Sequence, residues 1–224
     1  MKKMTEEALR SALKLYFIMG SPNCEKSSAE VLKEAIAGGV SFFQFREKGN
    51  GALKGDQKYA LAEELQYICK QGHVPFIVND DIDLALALNA DGVHIGQDDE
   101  EIKAVREKIG DKILGVSVHN IVEAKAAVEA GADYFGVGPI FPTKTKEDAN
   151  PVQGLNIIEI LRSEGFTIPL VGIGGIHAEN AGSVIEAGAD GISLISAISL
   201  ADDVQEAARE LSRKVTAKGG VRLE

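Results

Sequence analysis

Apolar residues along the chain follow two alternating patterns, short continuous runs and longer helical stripes. Runs at 16–19, 76–78, 113–116, 134–137 and 170–172 predict buried strands. Between the runs, apolar residues recur at spacings of three and four, as in helices that bury one face. Strands that alternate with helices in this way predict a parallel sheet in which each helix connects two strands.

A weak internal repeat indicates the number of units. Four tripeptides, each closing a helical pattern and opening a strand, begin at positions 39, 89, 131 and 188, which are 50, 42 and 57 residues apart. Each gap holds two strand–helix units, so the repeats precede strands two, four, six and eight. The sequence therefore predicts an α/β protein with a single domain over residues 1–224, a (β/α)8 or TIM barrel.

Two segments depart from the plain strand–helix alternation. Residues 5–15 predict an extra N-terminal helix, because Thr5 can cap it and Leu9 and Leu13 share one face. That helix would cover the N-terminal mouth of the barrel. Residues 138–154 form a connection far longer than the roughly two to six residues usual after a strand. This length favours a binding loop or lid, and a solvated loop without function is the alternative.

Composition and charge restrict the partners. A net charge of −10 argues against nucleic acid or an anionic membrane as the main partner and leaves small molecules as ligands. Cys24 and Cys69 lack metal-ligand spacing and predict free thiols in a cytoplasmic protein. We expect no signal peptide and no membrane span. The sequence leaves the oligomeric state open, a homo-oligomer included.

Polar side chains gather at the end of strand two. Gln44, Arg46 and Lys48 share one face of this segment, because side chains alternate along a strand, and phenylalanines occupy the other face. With the phenylalanines on the outer helices, an amide and two cations point to the C-terminal mouth, where barrel enzymes place their sites. Arginine and lysine suit phosphate oxygens. The alternative is an inter-strand salt-bridge ladder, which Glu47 could serve.

Pairs of carboxylates follow strands three and four. Asp80 and Asp81 end one strand, and Asp98 and Asp99 end the next. Neighbouring strand ends lie within reach of one ion, and carboxylate oxygens with waters and phosphates are typical Mg²⁺ ligands. Capping of the following helix is the competing interpretation for Asp81 and Asp98. Which of Asp98 and Asp99 would face the metal stays open. His94, in mid-strand, is interpreted as a satisfied core histidine.

Two turns near the end of the chain predict a phosphate site. Gly174 and Gly175 follow a buried strand and precede a helical pattern at 177–187. Glycines at a helix N-terminus let backbone N–H groups face an anion. Residues 191–197 then predict strand eight, which ends in a hydroxyl-bearing turn. Phosphate-binding turns after strands seven and eight are typical of this barrel. The alternative is that the glycines only form tight turns, which would be the better explanation if one such turn occurred alone.

Taken together, these motifs resemble the thiamine-phosphate synthase (thiamine-phosphate pyrophosphorylase) family. The resemblance runs in order from about residue 16 to residue 199 and is carried by segments 44–48, 78–80, 92–97 with Asp99, 115–117, 138–146 and 172–176. It implies a transferase that joins 4-amino-2-methyl-5-(diphosphooxymethyl)pyrimidine to 4-methyl-5-(2-phosphoethyl)thiazole, or to its carboxylated form. The products would be thiamine phosphate and pyrophosphate, with Mg²⁺-assisted loss of pyrophosphate before the thiazole nitrogen attacks.

The resemblance also implies a role for each matching residue. The pyrimidine diphosphate would contact Gln44, Phe45, Arg46, Glu47, Lys48, Asn79, Ser117 and Lys146. Of these, the catalytic groups would be Arg46, Lys48, Ser117 and Lys146. The thiazole phosphate would contact Thr143, Lys144, Thr145, Gly175, Ile195 and Ser196, and Mg²⁺ would be held by Asp80 and Asp99.

Three other functions fit part of the pattern. A thiazole tautomerase of the same fold would need a base near the thiazole, for which His119 after strand five is the candidate. It would have no use for the cations and carboxylates of strands two to four. A phosphate-binding barrel without catalysis would leave the same groups without a role, and a phosphosugar isomerase rests on fold analogy alone.

Overall fold

The computed structural model of the protein describes residues 4–143 and 151–216. Eight parallel strands close into a barrel in chain order, and the last strand pairs with the first. The strands are β1 (Leu15–Met19), β2 (Phe42–Phe45), β3 (Phe76–Asn79), β4 (Gly92–Ile95), β5 (Ile113–Val118), β6 (Tyr134–Val137), β7 (Leu170–Ile173) and β8 (Gly191–Leu194). The predicted TIM barrel is confirmed.

Helices connect consecutive strands, and further helices precede β1 and follow β8. They are α1 (Glu6–Ala12), α2 (Ser28–Ala37), α3 (Gly55–Gln71), α4 (Ile82–Ala87), α5 (Ile102–Ile109), α6 (Ile121–Glu129), α7 (Asn156–Ser163), α8 (Ala181–Glu186), α9 (Ser196–Ser199) and α10 (Val204–Thr216), with one 3-10 turn over Ser21–Asn23. Among the helices of the described ranges, none has both the length and the apolar character needed to cross a membrane.

Two apolar clusters follow from the alternation of side chains along the strands. The larger lies between barrel and helices and contains Phe43 and its outward-facing counterparts. The smaller cluster fills the interior of the barrel, where the rings of Tyr16 and Phe42 meet edge to face with their centroids 4.8 Å apart. Leu9 in the middle of α1 and Leu13 just after its end belong to this interior cluster. The predicted N-terminal helix therefore closes the lower end of the barrel.

Closure of the barrel brings the two ends of the sequence together. Leu15 of β1 pairs with Ile192 of β8. Next to this pair, a Cβ on Gly191 would lie 1.9 Å from the carbonyl oxygen of Leu13. Only glycine lets the two backbones approach so closely. The first turn of the molecule is thus packed directly on its last strand.

The internal repeat corresponds to one recurring hydrogen-bond pattern at the N-terminal end of the barrel. The side chain just before each even strand accepts a hydrogen bond from a backbone N–H at the start of the preceding odd strand, over 2.8–3.1 Å. The four pairs are Ser41 with Leu15, Asp91 with Phe76, Asp133 with Leu114, and Asp190 with Leu170. In each pair the backbone N–H of the residue before the even strand donates in return to the carbonyl of its odd-strand partner.

Three predicted boundaries were wrong. The first helix ends at Ala12 rather than at residue 15, because Leu15 already pairs in β1. Strand eight ends at Leu194 rather than at residue 197, because Ile195 leaves the extended conformation and precedes α9. The helix after the glycine turn begins at Ala181 rather than near residue 177, because residues 177–180 form a turn in which Asn180 Oδ1 accepts from the His177 N–H.

Candidate active site

The C-terminal mouth of the barrel opens into a cavity of about 410 Å³. This volume lies in the range of small-molecule sites. Of the residues predicted for substrate and metal, eleven line this cavity: Gln44, Arg46, Lys48, Asn79, Asp80, Asp99, Ser117, Thr143, Gly175, Ile195 and Ser196. Lys144, Thr145 and Lys146 lie outside the described residues.

Two predicted residues lie beside the cavity rather than on its wall. The side chain of Phe45 belongs to the outer apolar cluster and stacks on Phe76. The buried carboxylate of Glu47 accepts hydrogen bonds from the backbone N–H groups of Ser21 and Leu53, each over 2.7 Å. Glu47 therefore ties the segment after β2 to the turn after β1. This contact holds the adjacent cations in place.

Those cations are Arg46 and Lys48. Lys48 forms an ion pair with Asp80, which joins the end of β2 to the end of β3. Among the described side chains, none forms an ion pair or hydrogen bond with the guanidinium of Arg46, and Arg46 lines the cavity. A guanidinium without a carboxylate partner keeps all its donors for a ligand anion. The alternative of a salt-bridge ladder is therefore limited to the Lys48–Asp80 pair, and Arg46 remains available.

The carboxyl groups of Asp80 and Asp99 meet beside these cations, after β3 and β4. Asp80 has a left-handed backbone (φ +60°) that turns the chain sharply after β3. Burial, with the nearby Asp99 carboxyl, raises the pKa of Asp80 despite the ion pair with Lys48. Burial acts in the same direction on Asp99, but hydrogen bonds from Asp80 and the Gly96 N–H outweigh it and lower its pKa. The two carboxyl groups share one local environment.

The neighbouring aspartates have other surroundings. Asp81 accepts a hydrogen bond from the Leu84 N–H and caps α4, as predicted, and its second oxygen pairs with Lys58. Asp98 was a candidate cap for the following helix, but α5 begins only at Ile102, with Glu101 at the capping position. Asp99, rather than Asp98, is the carboxylate in contact with Asp80.

The donor set suits a hard divalent cation. In residues 4–143 and 151–216, no group of three or more His, Cys, Asp and Glu side chains converges on one point. The pair of Asp80 and Asp99 is what a Mg²⁺ ion needs when waters and phosphates complete its shell. Two carboxyl groups held this close repel each other when both are ionised, and a divalent cation would relieve that repulsion. The residues therefore fit the ion.

On the far side of the cavity, backbone replaces charged side chains. Gly174 and Gly175 have φ values of +95° and +63°, and the Phe141 N–H donates to the Gly174 carbonyl over 3.0 Å. A Cβ on Gly175 would lie 2.5 Å from the Pro142 carbonyl oxygen. The turn after β7 is thus built against the segment after β6. The prediction that these glycines start a helix was wrong, because α8 begins six residues later.

Buried polar groups line the floor of the cavity. The hydroxyls of Tyr16 and Tyr134 are 2.7 Å apart, and Gln44 Nε2 donates to Tyr16 Oη. His94 lies 3.0 Å from Tyr134 Oη through Nδ1 and 3.0 Å from Ser117 Oγ through Nε2. His94 is therefore satisfied, as predicted, yet it faces the cavity.

Comparisons with known proteins decide the family. The model of the family described as thiamine monophosphate synthase matches residues 15–198. The chain belongs to this family. The thiamine-phosphate synthase of Geobacillus thermodenitrificans is 60% identical over 215 residues, which cover 96% of this chain and 97% of that protein. The thiamine-phosphate synthase of Bacillus cereus is 58% identical over 98% of both chains.

Solved structures agree with the family assignment. Thiamine phosphate pyrophosphorylase from Pyrococcus furiosus superposes with a TM-score of 0.84 and 37% identity, over 93% of this chain and 98% of that one. A 3-hexulose-6-phosphate synthase from Salmonella typhimurium reaches a TM-score of 0.69 at 16% identity, over 91% of this chain and 99% of that one. The second likeness shows a shared barrel and nothing about the reaction.

Tyr16, Ser193 and His94 are among the cavity residues that the sequence analysis did not assign to the site. Tyr16 and Ser193 lie in predicted strands and had no assigned role, and His94 was interpreted as a satisfied core histidine. One signal could have located Tyr16 and Ser193. Each is a polar residue in an otherwise apolar strand, and the residues two positions away from it point into the barrel. The Ser193 hydroxyl is buried, and the described residues offer it no hydrogen-bond partner.

Proposed function

We propose that the protein is a thiamine-phosphate synthase. It transfers the pyrimidinylmethyl group of 4-amino-2-methyl-5-(diphosphooxymethyl)pyrimidine to the ring nitrogen of a thiazole phosphate. The bond between the methylene carbon and the diphosphate oxygen breaks, a carbon–nitrogen bond forms, and pyrophosphate leaves. The observation that carries the proposal, within this family, is one cavity that brings together two cations, the Asp80–Asp99 pair and a glycine turn. Nothing in the comparisons supports the thiazole tautomerase alternative.

The cations suit a reaction in which a diphosphate departs. Negative charge grows on the leaving oxygen as its bond to carbon lengthens, so groups that stabilise it act more strongly in the transition state than on the bound substrate. Arg46 is available for this role because no described side chain is paired with it. The ammonium group of Lys48, which pairs with Asp80, has further N–H donors that can contact a phosphate oxygen. Lys146 stays a predicted third contact.

Asp80 and Asp99 are proposed to hold Mg²⁺. When bound, the ion neutralises part of the diphosphate charge, as metal ions do in related displacements. Burial and the neighbouring Asp99 carboxyl raise the pKa of Asp80, and a bound cation would favour its ionised form. Asp99 is oriented toward Asp80 by the hydrogen bond that Oδ2 accepts from the Gly96 N–H over 2.7 Å.

The opposite wall is proposed to take the thiazole phosphate. Gly175, Ser196 and Thr143 line it with backbone and hydroxyl groups. The thiazole nitrogen already has a free electron pair, so the protein does not need a general base to create the nucleophile. Positioning the ring and excluding water are then the main tasks of this wall. Lys144 and Thr145, in the segment after β6, are predicted to contribute further contacts to the thiazole phosphate.

A cytoplasmic location stays a prediction from composition.

Pyrophosphate release is the direct test. The protein is mixed with the pyrimidine diphosphate, the thiazole phosphate and Mg²⁺, and pyrophosphate and thiamine phosphate are measured together. We expect equal amounts of both products, dependence on both substrates, and loss of activity in excess EDTA that added Mg²⁺ restores. Full activity in EDTA would contradict the metal assignment. Isomerisation of a thiazole phosphate without pyrimidine consumption would favour the tautomerase.

A further inference from the structure

Five side chains form a continuous row of hydrogen bonds across the floor of the cavity. The row runs from Gln44 through Tyr16, Tyr134 and His94 to Ser117. Its two ends line the cavity, and its middle lies inside the barrel, where Tyr16 is 1% exposed and Tyr134 is fully buried. A buried hydroxyl that lacks a partner costs free energy, so each proton in this row must have an acceptor.

The direction of the row follows from its first member. Gln44 Nε2 donates to Tyr16 Oη, so Tyr16 must place its own proton elsewhere. The other partner that the described residues offer to Tyr16 Oη is Tyr134 Oη, at 2.7 Å. Tyr134 then accepts from Tyr16 and has one proton left, which can reach His94 Nδ1 at 3.0 Å. Burial raises the pKa of both phenols, so each keeps its single proton.

We infer that this row fixes His94 as the Nε2–H tautomer, so that Ser117 accepts from the imidazole and turns its own hydroxyl proton toward the cavity. His94 Nδ1 is occupied as an acceptor, which leaves the ring proton on Nε2, 3.0 Å from Ser117 Oγ. Tyr16, Tyr134 and His94 are thus positioning residues. Ser117 becomes a hydrogen-bond donor of fixed orientation.

The backbone is shaped around the central bond of the row. A Cβ on Gly115 of β5 would lie 2.3 Å from Tyr134 Oη and 2.4 Å from His94 Nδ1. A Cβ on Gly136 of β6 would lie 3.1 Å from His94 Cε1. Two neighbouring strands therefore lack side chains at the places where Tyr134 and His94 meet. Any larger residue at position 115 would break this bond.

The consequence for the reaction rests on the proposed function. A donating Ser117 can bind an acceptor atom of the pyrimidine diphosphate, either a ring nitrogen with a free electron pair or a phosphate oxygen. It cannot accept a proton from the substrate through the lone pair that already faces His94. The proton that Ser117 turns toward the cavity therefore favours an acceptor atom of the substrate at this position.

The tautomer can be read directly by nuclear magnetic resonance. In protein labelled with ¹⁵N-histidine, one-bond and two-bond couplings to the ring protons identify the protonated nitrogen of each of the four histidines. The signal that disappears in His94→Gln belongs to His94. We expect a proton on Nε2 and none on Nδ1. A proton on Nδ1, alone or together with Nε2, would overturn the inference, and this measurement needs no substrate.

A double-mutant cycle tests whether the row acts through Ser117. Tyr134→Phe removes the proton offered to His94 and should lower kcat about fivefold, the size of one ordinary hydrogen bond. In the Ser117→Ala background the same change should cost less than about twofold. Equal factors in both backgrounds would mean a merely structural role. Tyr67→Phe, on the exposed face of α3, is the control and should leave kcat unchanged.

The two measurements separate this inference from the proposed function. A protein with the Nε2–H tautomer but without transferase activity would contradict the function and leave the row intact. An active transferase with the Nδ1–H tautomer would do the reverse. If Tyr134→Phe does not fold, Tyr16→Phe interrupts the row one step earlier and completes the same cycle.

Discussion

The two ends of the barrel follow opposite principles of construction. At the N-terminal end, one arrangement recurs four times: a side chain before an even strand binds the start of the odd strand before it. Two arginines reinforce it in the same way. Arg106 binds Asp133 and the Gly131 carbonyl, and Arg162 binds Asp190 and the Gly188 carbonyl.

At the C-terminal end, neighbouring strands end differently. β2 ends before two cations, β3 before a carboxylate in a left-handed turn, and β7 before paired glycines. A pattern that the fold repeats stabilises the barrel, whereas groups that occur once and converge on a cavity serve a ligand. The candidate functional groups of this chain therefore lie at the C-terminal end of the barrel, where neighbouring strands do not share a repeated pattern. Substitutions at the two ends should therefore separate activity from stability.

The largest expected effect is on activity, at the C-terminal end. Asp80→Asn should lower kcat by about 10²-fold or more, because it removes a proposed metal ligand and a charged group at the reacting centre. Asp81→Asn, one residue away, keeps a capping side chain and should retain activity within about threefold. Steady-state rates of pyrophosphate release at saturating Mg²⁺ compare the two. Equal losses would show that position 80 has no special role.

The same substitution should not destabilise the protein at neutral pH. Because the pKa of Asp80 is raised in the folded state above its ordinary value of 3.8, ionisation costs stability. That cost is absent below pH 3.8 and present in full above the folded pKa. Thermal unfolding should therefore give Asp80→Asn a Tm equal to or above that of the parent at pH 7. A lower Tm would mean that the ion pair with Lys48 outweighs burial.

The next effect is on stability, at the N-terminal end. Asp190→Ala removes the acceptor for the Leu170 N–H and for Arg10 and Arg162 and should cost about 2 kcal/mol of unfolding free energy. Asp133→Ala removes the acceptor for the Leu114 N–H and for Arg106 and should also destabilise the protein. Urea denaturation measures both, and kcat should stay within about twofold. A loss of activity without a loss of stability would contradict the assignment of stability to the N-terminal end and of activity to the C-terminal end.

A tenfold effect is expected where backbone forms the site. Gly175→Ala places a methyl group against the Pro142 carbonyl and should raise the KM for the thiazole phosphate about tenfold, with little change for the pyrimidine diphosphate. Gly165→Ala carries a similar left-handed strain (φ +87°), and no atom lies within 4 Å of the added carbon. It should lower stability and leave both KM values unchanged. Matching KM changes in the two variants would assign the effect to strain alone.

The smallest effect concerns the cap of α4. Asp81→Ala should cost about 1 kcal/mol at pH 7. Burial opposes ionisation of Asp81, but hydrogen bonds from Lys58 and the Leu84 N–H outweigh it and lower the pKa. The stabilisation is therefore complete above pH 3.8 and is lost as pH falls through the lowered pKa. Urea denaturation at pH 7 and pH 3 should show a smaller difference at pH 3, and an undiminished difference would contradict a charged cap.

Much of the barrel could be predicted because its signals are local and repeated. The apolar runs and the tripeptides before even strands each reflect a contact that the fold makes several times, so the strand count was correct. The end of β8 was misplaced because Ile195 leaves the extended conformation before α9. The end of α1 was misplaced because it depends on a distant partner. Leu15 leaves the helix in order to pair with Ile192, a partner that no local pattern reveals.

The charged residues of the site could be predicted from the sequence, whereas its buried polar residues could not. Arg46, Lys48 and Asp80 stand out against apolar strands, and the structure gathers them in one cavity. The choice between Asp98 and Asp99 depended on the turn after β4, in which the Gly96 N–H binds Asp99. Tyr16 was missed because a tyrosine in an apolar strand looks like core until its hydroxyl finds Gln44 from the next strand.

The pairing of β1 with β8 has a consequence for how the chain reaches its native state. Leu15 and Ile192 are neighbours in space but lie near opposite ends of the sequence, and contacts of such long range slow folding because a large loop must close first. During synthesis, β1 has an unpaired edge until the last quarter of the chain emerges. A nascent chain truncated before Gly191 would keep that edge open, and with it a surface prone to associate with other strands.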